Sequence, residues 1–312
     1  MWPGIMSVLR WPVILLCALL SGVAARAQET SYLDYSIPAN ARKVGPDFLP
    51  PNLTEAVYLL PGTKVDPFTR YIEPELVGRE RFDNGVLVSR EMFLNEKKHG
   101  VQREWYPNGQ LKSEEPYRNG VMHGVFKTWS EKGALTGQAT FVEGTGKLQV
   151  YDEDGVLIEE TNYKGSRENG LFFSRLHNPR IPDHRMTFMW VKDGVREGWA
   201  YDFYEDGTLS SMNFAMGSSG NVYGPNIDFD KNGAIASVKW YGGELEIPEA
   251  VYAKAAALRP EMPPYYHDPD KYKEEFVTPE VRALVKDYQE MPRVKIPLEF
   301  GPDGKPILAR QP

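Results

Sequence analysis

The stretch Trp105-Tyr106-Pro107-Asn108-Gly109-Gln110-Leu111-Lys112-Ser113-Glu114, followed after two intervening residues by Tyr117-Arg118-Asn119-Gly120-Val121-Met122-His123-Gly124, decides the architecture. Asn108-Gly109 is a dipeptide that accepts positive φ at a hairpin turn. From Leu111 to Tyr117 is six residues, an even number, so both side chains leave one face of a strand. Lys112, Ser113 and Glu114 between them give no helical stripe.

The same spacing recurs outward in both directions. Gly is followed two residues on by Leu or Ile at Gly85, Gly109, Gly133, Gly155, Gly207 and Gly233, at intervals of 24, 24, 22, 52 and 26 residues. The interval of 52 reads as two units whose shared turn has been replaced by His177-Asn178-Pro179-Arg180-Ile181-Pro182. A second glycine lies nine residues before most of these, at Gly100, Gly124, Gly146, Gly198 and Gly224. An aromatic follows each first glycine by seven or eight residues, at Phe93, Tyr117, Phe141, Tyr163, Phe214 and Trp240. A helical reading fails on the glycines, each of which costs a helix interior about 1 kcal/mol and leaves segments too short to persist. The expected fold is mainly β, an elongated antiparallel meander of about six hairpin units of 22–26 residues with a small helical C-terminal cap.

These segments resemble MORN-type repeats, and more narrowly the bacterial variant often labelled an antitoxin component. The resemblance covers roughly residues 80–243, strongest in the first three units and degraded between Gly170 and Gly198.

The 312-residue chain carries a formal net charge of −7. It opens with Arg10, an apolar run from Val13 to Leu20, and Ala25-Arg26-Ala27, the pattern of a secretory signal peptide with its cleavage site. The run is too short to span a bilayer. Cys17 lies within it, behind Leu15 and Leu16, where lipoprotein processing wants small residues. Residues 28–312 would then hold no cysteine, which excludes disulfides, a thiol nucleophile and thiolate metal ligation. They would hold 34 basic and 43 acidic side chains, a balance of −9 that disfavours nucleic acid as a partner. No second apolar run approaches membrane length.

Four segments are expected: a signal peptide over 1–27, an extended Pro-rich arm over 28–70, the repeat domain over 71–246, and a C-terminal segment over 247–312. The last should contain two short helices and a terminal turn. Pro248 to Leu258 is Ala-rich, and Thr278-Pro279-Glu280 places an N-cap and a first-turn proline before a helix ending near Gln289. Asp303-Gly304 marks the turn. Repeat arrays expose their end hairpins, so these helices read as a cap, with a partner-binding appendage as the alternative.

No catalytic, cofactor or metal residues are expected. Asp228-x-Asp230-x-Asn232-Gly233 resembles the start of a calcium loop, but Lys239 stands where a bidentate Glu is needed and Gly233 is in register with the hairpin turns. His99 and His123 occupy equivalent repeat positions, and two imidazoles are too few for zinc. Asp183-His184 with Ser218-Ser219 lacks a nucleophile elbow. Glu114-Glu115 and Glu159-Glu160 read as solvated strand positions facing opposite ways. Aromatics exposed on the sheet would suit a partner's hot spots or a glycan's ring faces, and the candidates are Trp105, Trp129, Trp199, Tyr201 and Trp240.

The expected function is a non-enzymatic exported module that binds or scaffolds proteins in the bacterial envelope, periplasmic or extracellular. The resemblance implies a sharper version, an immunity protein occupying an envelope-acting toxin. A glycan-binding or glycan-acting enzyme, with its site between Leu176 and Arg185 or at the C-terminal helices, is the further alternative.

Overall fold

A computed structural model describes residues 32–45, 53–65, 72–176, 185–217 and 219–309. The expected signal peptide, Cys17, residues 177–184 of the replaced turn and Ser218 lie outside them. Nineteen strands and three helices occur among the described residues, and the strands run as an antiparallel meander of hairpins. The chain forms two compact units. One extends to Pro107 and includes Pro116–Gly120, and the other comprises Asn108–Glu115 and everything from Val121.

Two kinds of turn alternate along the array; the first glycine series lies in one kind, whereas Gly100, Gly124, Gly146 and Gly198 of the second series open the strands that follow the other. At Gly133, Gly155, Gly207 and Gly233 the glycine N–H donates to the carbonyl three residues back, on Ser130, Asp152, Tyr204 and Asp230, at 2.9–3.1 Å. Each glycine is left-handed, and the pairing shifts by one residue just beyond it. That is a turn closed by a left-handed residue and a bulge, rather than a tight two-residue turn. The tight turns sit at the opposite end of the units, where Asn119-Gly120, Glu143-Gly144 and Asp193-Gly194 place both residues at positive φ. Of the Asn-Gly and Asp-Gly pairs at the first glycine series, only Asn84-Gly85 does the same.

The Pro-rich arm contains more sheet than its composition implied. Leu53–Val65 is a strand pairing with Ile72–Asp83, and Arg42–Val44 pairs with it in turn. Pro61 falls where the register jumps between Leu60 and Lys64, the kind of irregularity in which a proline is tolerated in a sheet.

The C-terminal segment holds three helices: α1 (Glu249–Leu258), α2 (Asp270–Phe276) and α3 (Pro279–Gln289). The second was not expected. In α3 the Thr278 hydroxyl accepts from the Val281 N–H, and Val281, Val285 and Tyr288 form one buried stripe. The terminal turn is present, with the Gly304 N–H donating to the Gly301 carbonyl. The cap lies across a face of the sheet. Its Tyr252, Tyr272, Val285, Tyr288 and Leu298 share one core with Phe173, Phe188, Phe203, Met212 and Ile227 of the strands.

Candidate binding surface

Strand register defines the cap-facing surface of the second unit. Glu114 stands opposite Lys127, which stands opposite Gln138. Gly137 opposite Val150 sets Gln138 and Gln149 side by side in the same row. Gln149 then faces Glu160, and the row continues through Phe173, Phe188, Tyr201, Met212, Ile227 and Val238. It is polar from Glu114 to Glu160 and apolar from Phe173 onward. The helices cover the apolar part.

The five candidate aromatics divide along this boundary. Tyr201 is 4% exposed and donates its hydroxyl to the Phe276 carbonyl at 2.7 Å. Trp240 is 7% exposed and stacks on Tyr252 at 4.8 Å. Trp199 packs on Phe276 at 4.7 Å and on Phe214 at 5.5 Å. Tyr201 and Trp240 are thus core residues and Trp199 is half-buried against the cap, and burying a ring fully beneath helices stabilises by about 1.5–3 kcal/mol. Trp129 and Val125 flank Lys127 on the same face, two residues to either side; Trp129 is half-buried and Val125 is 41% exposed. In the first unit, Trp105 is also half-buried, with the Arg90 guanidinium 5.8 Å from its ring.

A repeat-wide signal for this division was present in the residue three places after each second glycine. That column reads Arg103, Lys127, Gln149, Tyr201, Ile227, turning from charged to apolar along the chain. The cap aromatics Tyr252, Tyr272 and Tyr288 carried no signal of their own.

Glu160 corrects the reading of Glu159-Glu160 as solvated. Its residue is 4% exposed, and it accepts the Tyr288 hydroxyl at 2.9 Å, Lys147 Nζ at 3.0 Å and Gln149 Nε2 at 2.6 Å. Glu159 faces the other way, opposite Ser174. On that opposite face the row continues as hydroxyls and carboxylates, with Asp202 accepting from Thr187 and Ser211 at 2.6 Å and Asp228 from Ser237 at 2.7 Å.

The imidazoles have repeat roles. His99 Nδ1 accepts from the Asn119 N–H at 3.2 Å, and His123 Nδ1 from the Glu143 N–H at 3.4 Å. Asp230 Oδ1 accepts from the Asn232 and Ala234 N–H groups, the same turn that Asp152 makes with Asp154 and Val156. Asp183, His184 and Ser218 lie outside the described residues. Among the described residues no three His, Cys, Asp or Glu side chains gather as metal ligands, and no helix is long and apolar enough to cross a membrane.

The chain matches the MORN repeat variant over residues 98–119 and 145–164. Both stretches are hairpin units of the array. Comparison with curated proteins gave no match.

Proposed function

We propose that the protein is a non-catalytic module that binds a protein partner on the uncapped, polar part of the repeat sheet. One observation carries this reading. A single row of the sheet is covered by the chain's own helices where it is aromatic, and beyond them it turns polar as Lys127, Gln138 and Gln149, with Val125 exposed next to Lys127 on the same strand. Repeats of the matched kind are generally protein- or membrane-binding modules, and the matched stretches lie in the polar half of the array. An aromatic flanked by adaptable polar groups is the composition of a partner-binding hot spot. The apolar pattern and Ala-Arg-Ala of residues 1–27 support export to the envelope, and an envelope-acting toxin is the sharper candidate for the partner.

The test is capture by residues 28–312 from envelope extract and culture supernatant, followed by titration of the purified partner. Trp129→Ala and Lys127→Glu should each weaken binding tenfold or more without changing the far-UV circular dichroism. Glu197→Gln, at an exposed position, should leave it unchanged. A captured partner that binds both surface variants as tightly as the parent would refute this placement. A captured protein whose toxicity is suppressed by the parent and not by Lys127→Glu would establish the immunity version.

A further inference from the structure

Two successive hairpin ends of the second unit enclose an open recess of about 620 Å³, lined by Lys164, Gly165, Arg167, Asn169, Lys192 and Asp193. Period two along the strand Leu157–Lys164 puts Lys164 on the cap-facing side with Glu160, and Arg167 stands opposite Lys164 across the turn. The same count along Arg185–Lys192 puts Phe188, Trp190 and Lys192 on that side. Trp190 has Leu171 as its cross-strand neighbour and lies 6.2 Å from Tyr201, which the cap buries, yet it is itself 38% exposed. An indole at the margin of the cap therefore precedes Lys192 by about 7 Å along the strand, on the side where the recess opens.

The cations of this recess are not spent within the chain. Lys164 and Arg167 are like charges directly opposite one another, an unfavourable cross-strand pair. Among the described residues no hydrogen bond or ion pair reaches either side chain. Glu168, next to Arg167, stands opposite Tyr163 and so points to the other face. Lys192 Nζ lies 3.7 Å from a Glu197 carboxylate oxygen, but both side chains are more than half exposed, and such a pair contributes little. Water screens the repulsion between Lys164 and Arg167, which are both exposed. An anion placed between them gains both charges and displaces no internal partner. Asp193 accepts from Asn169 Nδ2 at 3.3 Å, so a carboxylate and an amide share the same recess.

We infer that this recess binds an acidic saccharide, with a sugar ring against the exposed indole of Trp190 and a sugar carboxylate against Lys164, Arg167 and Lys192. A pyranose couples a flat apolar ring face to a rim of hydroxyls. The ring face suits the indole, and the rim meets Asn169 and Asp193, which offer both donors and acceptors. The Asp193 carboxylate would repel a run of acidic side chains, which favours a saccharide over an acidic peptide. These residues are distinct from Lys127, Gln138 and Gln149, so the site stands or falls apart from the protein-partner reading.

A galacturonate trimer, the matching galactose trimer and hexaglutamate titrated calorimetrically into residues 28–312 test this. The galacturonate trimer should bind saturably in the millimolar range or tighter, and at least tenfold more tightly than either of the others. Trp190→Ala and Arg167→Gln should each weaken it tenfold or more. Arg167 is exposed beside a turn, so its variant keeps the test intact even where removing the indole disturbs folding. Lys254→Gln, the same charge change on the exposed side of α1, should alter binding less than twofold. No saturable binding of the galacturonate trimer overturns the inference, as does equal weakening by Arg167→Gln and Lys254→Gln, which would mean diffuse attraction. Equal affinity for the galactose trimer overturns the anionic half of the site, and unchanged affinity in a folded Trp190→Ala variant overturns the ring contact. Hexaglutamate binding as tightly as the galacturonate trimer overturns the saccharide in favour of an acidic peptide.

Discussion

Replacing Tyr288 with Phe removes one hydroxyl and leaves its ring packed on Phe173 at 4.4 Å and Phe188 at 5.3 Å. The hydroxyl donates to Glu160 Oε1 at 2.9 Å in a buried setting, and a hydrogen bond to a charged acceptor contributes about 1.5–3 kcal/mol. Glu160 keeps Gln149 on Oε2 and Lys147 on Oε1, so the carboxylate is not orphaned. The Lys147 side chain is half-exposed, which limits what it can add when the tyrosine hydroxyl is lost. The expected loss is therefore about 2 kcal/mol, in the middle of that range. Glu160→Gln should cost a similar amount, and the double variant clearly less than the sum, since both remove the same bond. Urea unfolding followed by near-ultraviolet circular dichroism gives the free energies, and hydrogen exchange should localise the loss to α3 and the strand Leu157–Lys164. A loss below about 0.5 kcal/mol, or strict additivity in the cycle, would refute the view that this bond anchors the cap.

The two kinds of glycine environment predict different costs for alanine. A Cβ on Gly155 would run into the Val294 carbonyl oxygen, whereas one on Gly109 meets nothing within 4 Å, and both glycines are left-handed. Gly109→Ala should cost about 1 kcal/mol in thermal denaturation, the left-handed penalty alone, and Gly155→Ala should cost more and raise exchange around Val294. Alkali should destabilise the second unit. Burial first, then the carboxylates of Glu168, Glu159 and Glu115, push Tyr163 up to about 12, and burial also raises Tyr201, Tyr252, Tyr272 and Tyr288. Each phenol ionises first in the unfolded chain, so stability is full below the ordinary 10 and falls as pH rises through the folded values; Tyr163→Phe should flatten part of that slope in urea titrations. Acid acts on the first unit with the opposite sign. The lowered Glu80 pKa gives stability that is present above its ordinary 4.5 and lost as pH falls through the lower folded value, so Glu80→Gln should lower stability at pH 7 and remove part of the acid slope.

The hairpin array was legible because its turns are built from local chemistry. Glycines at fixed offsets from an apolar residue and an aromatic announce a strand, a turn and a return, whatever the rest of the sheet does. The helix after Thr278 was legible for the same reason, since its N-cap and first-turn proline act within one turn. The strand Leu53–Val65 was obscured by Pro61, which reads as a sheet breaker until its pairing partner reveals a register jump at that point. Helix α2 was missed because seven residues carry too little periodicity to stand out. The aromatic set was half legible. Period two gives the faces of a strand, but which of two faces another segment covers is a long-range fact, and Tyr201, Trp199 and Trp240 owe their burial to residues 12 to 77 positions away in the chain, from Tyr252 beside Trp240 to Phe276 beside Trp199.

Glu160 explains why the helices of the cap stop where they do on this row. Moving along the row from Val238 toward Glu114, every position is apolar until Glu160, and a carboxylate beneath a helix requires its own donors. Tyr288 is the cap residue that supplies one, while Gln149 and Lys147 reach across from the neighbouring strand. Further along, Gln138 and Lys127 would each need comparable partners from a cap of unchanged length. Ending the helices before them avoids that desolvation cost. The helical cover of this row therefore ends at one buried carboxylate and the tyrosine that meets it, while the segment after the helices bonds to the strand ends at Gly155 and Leu135.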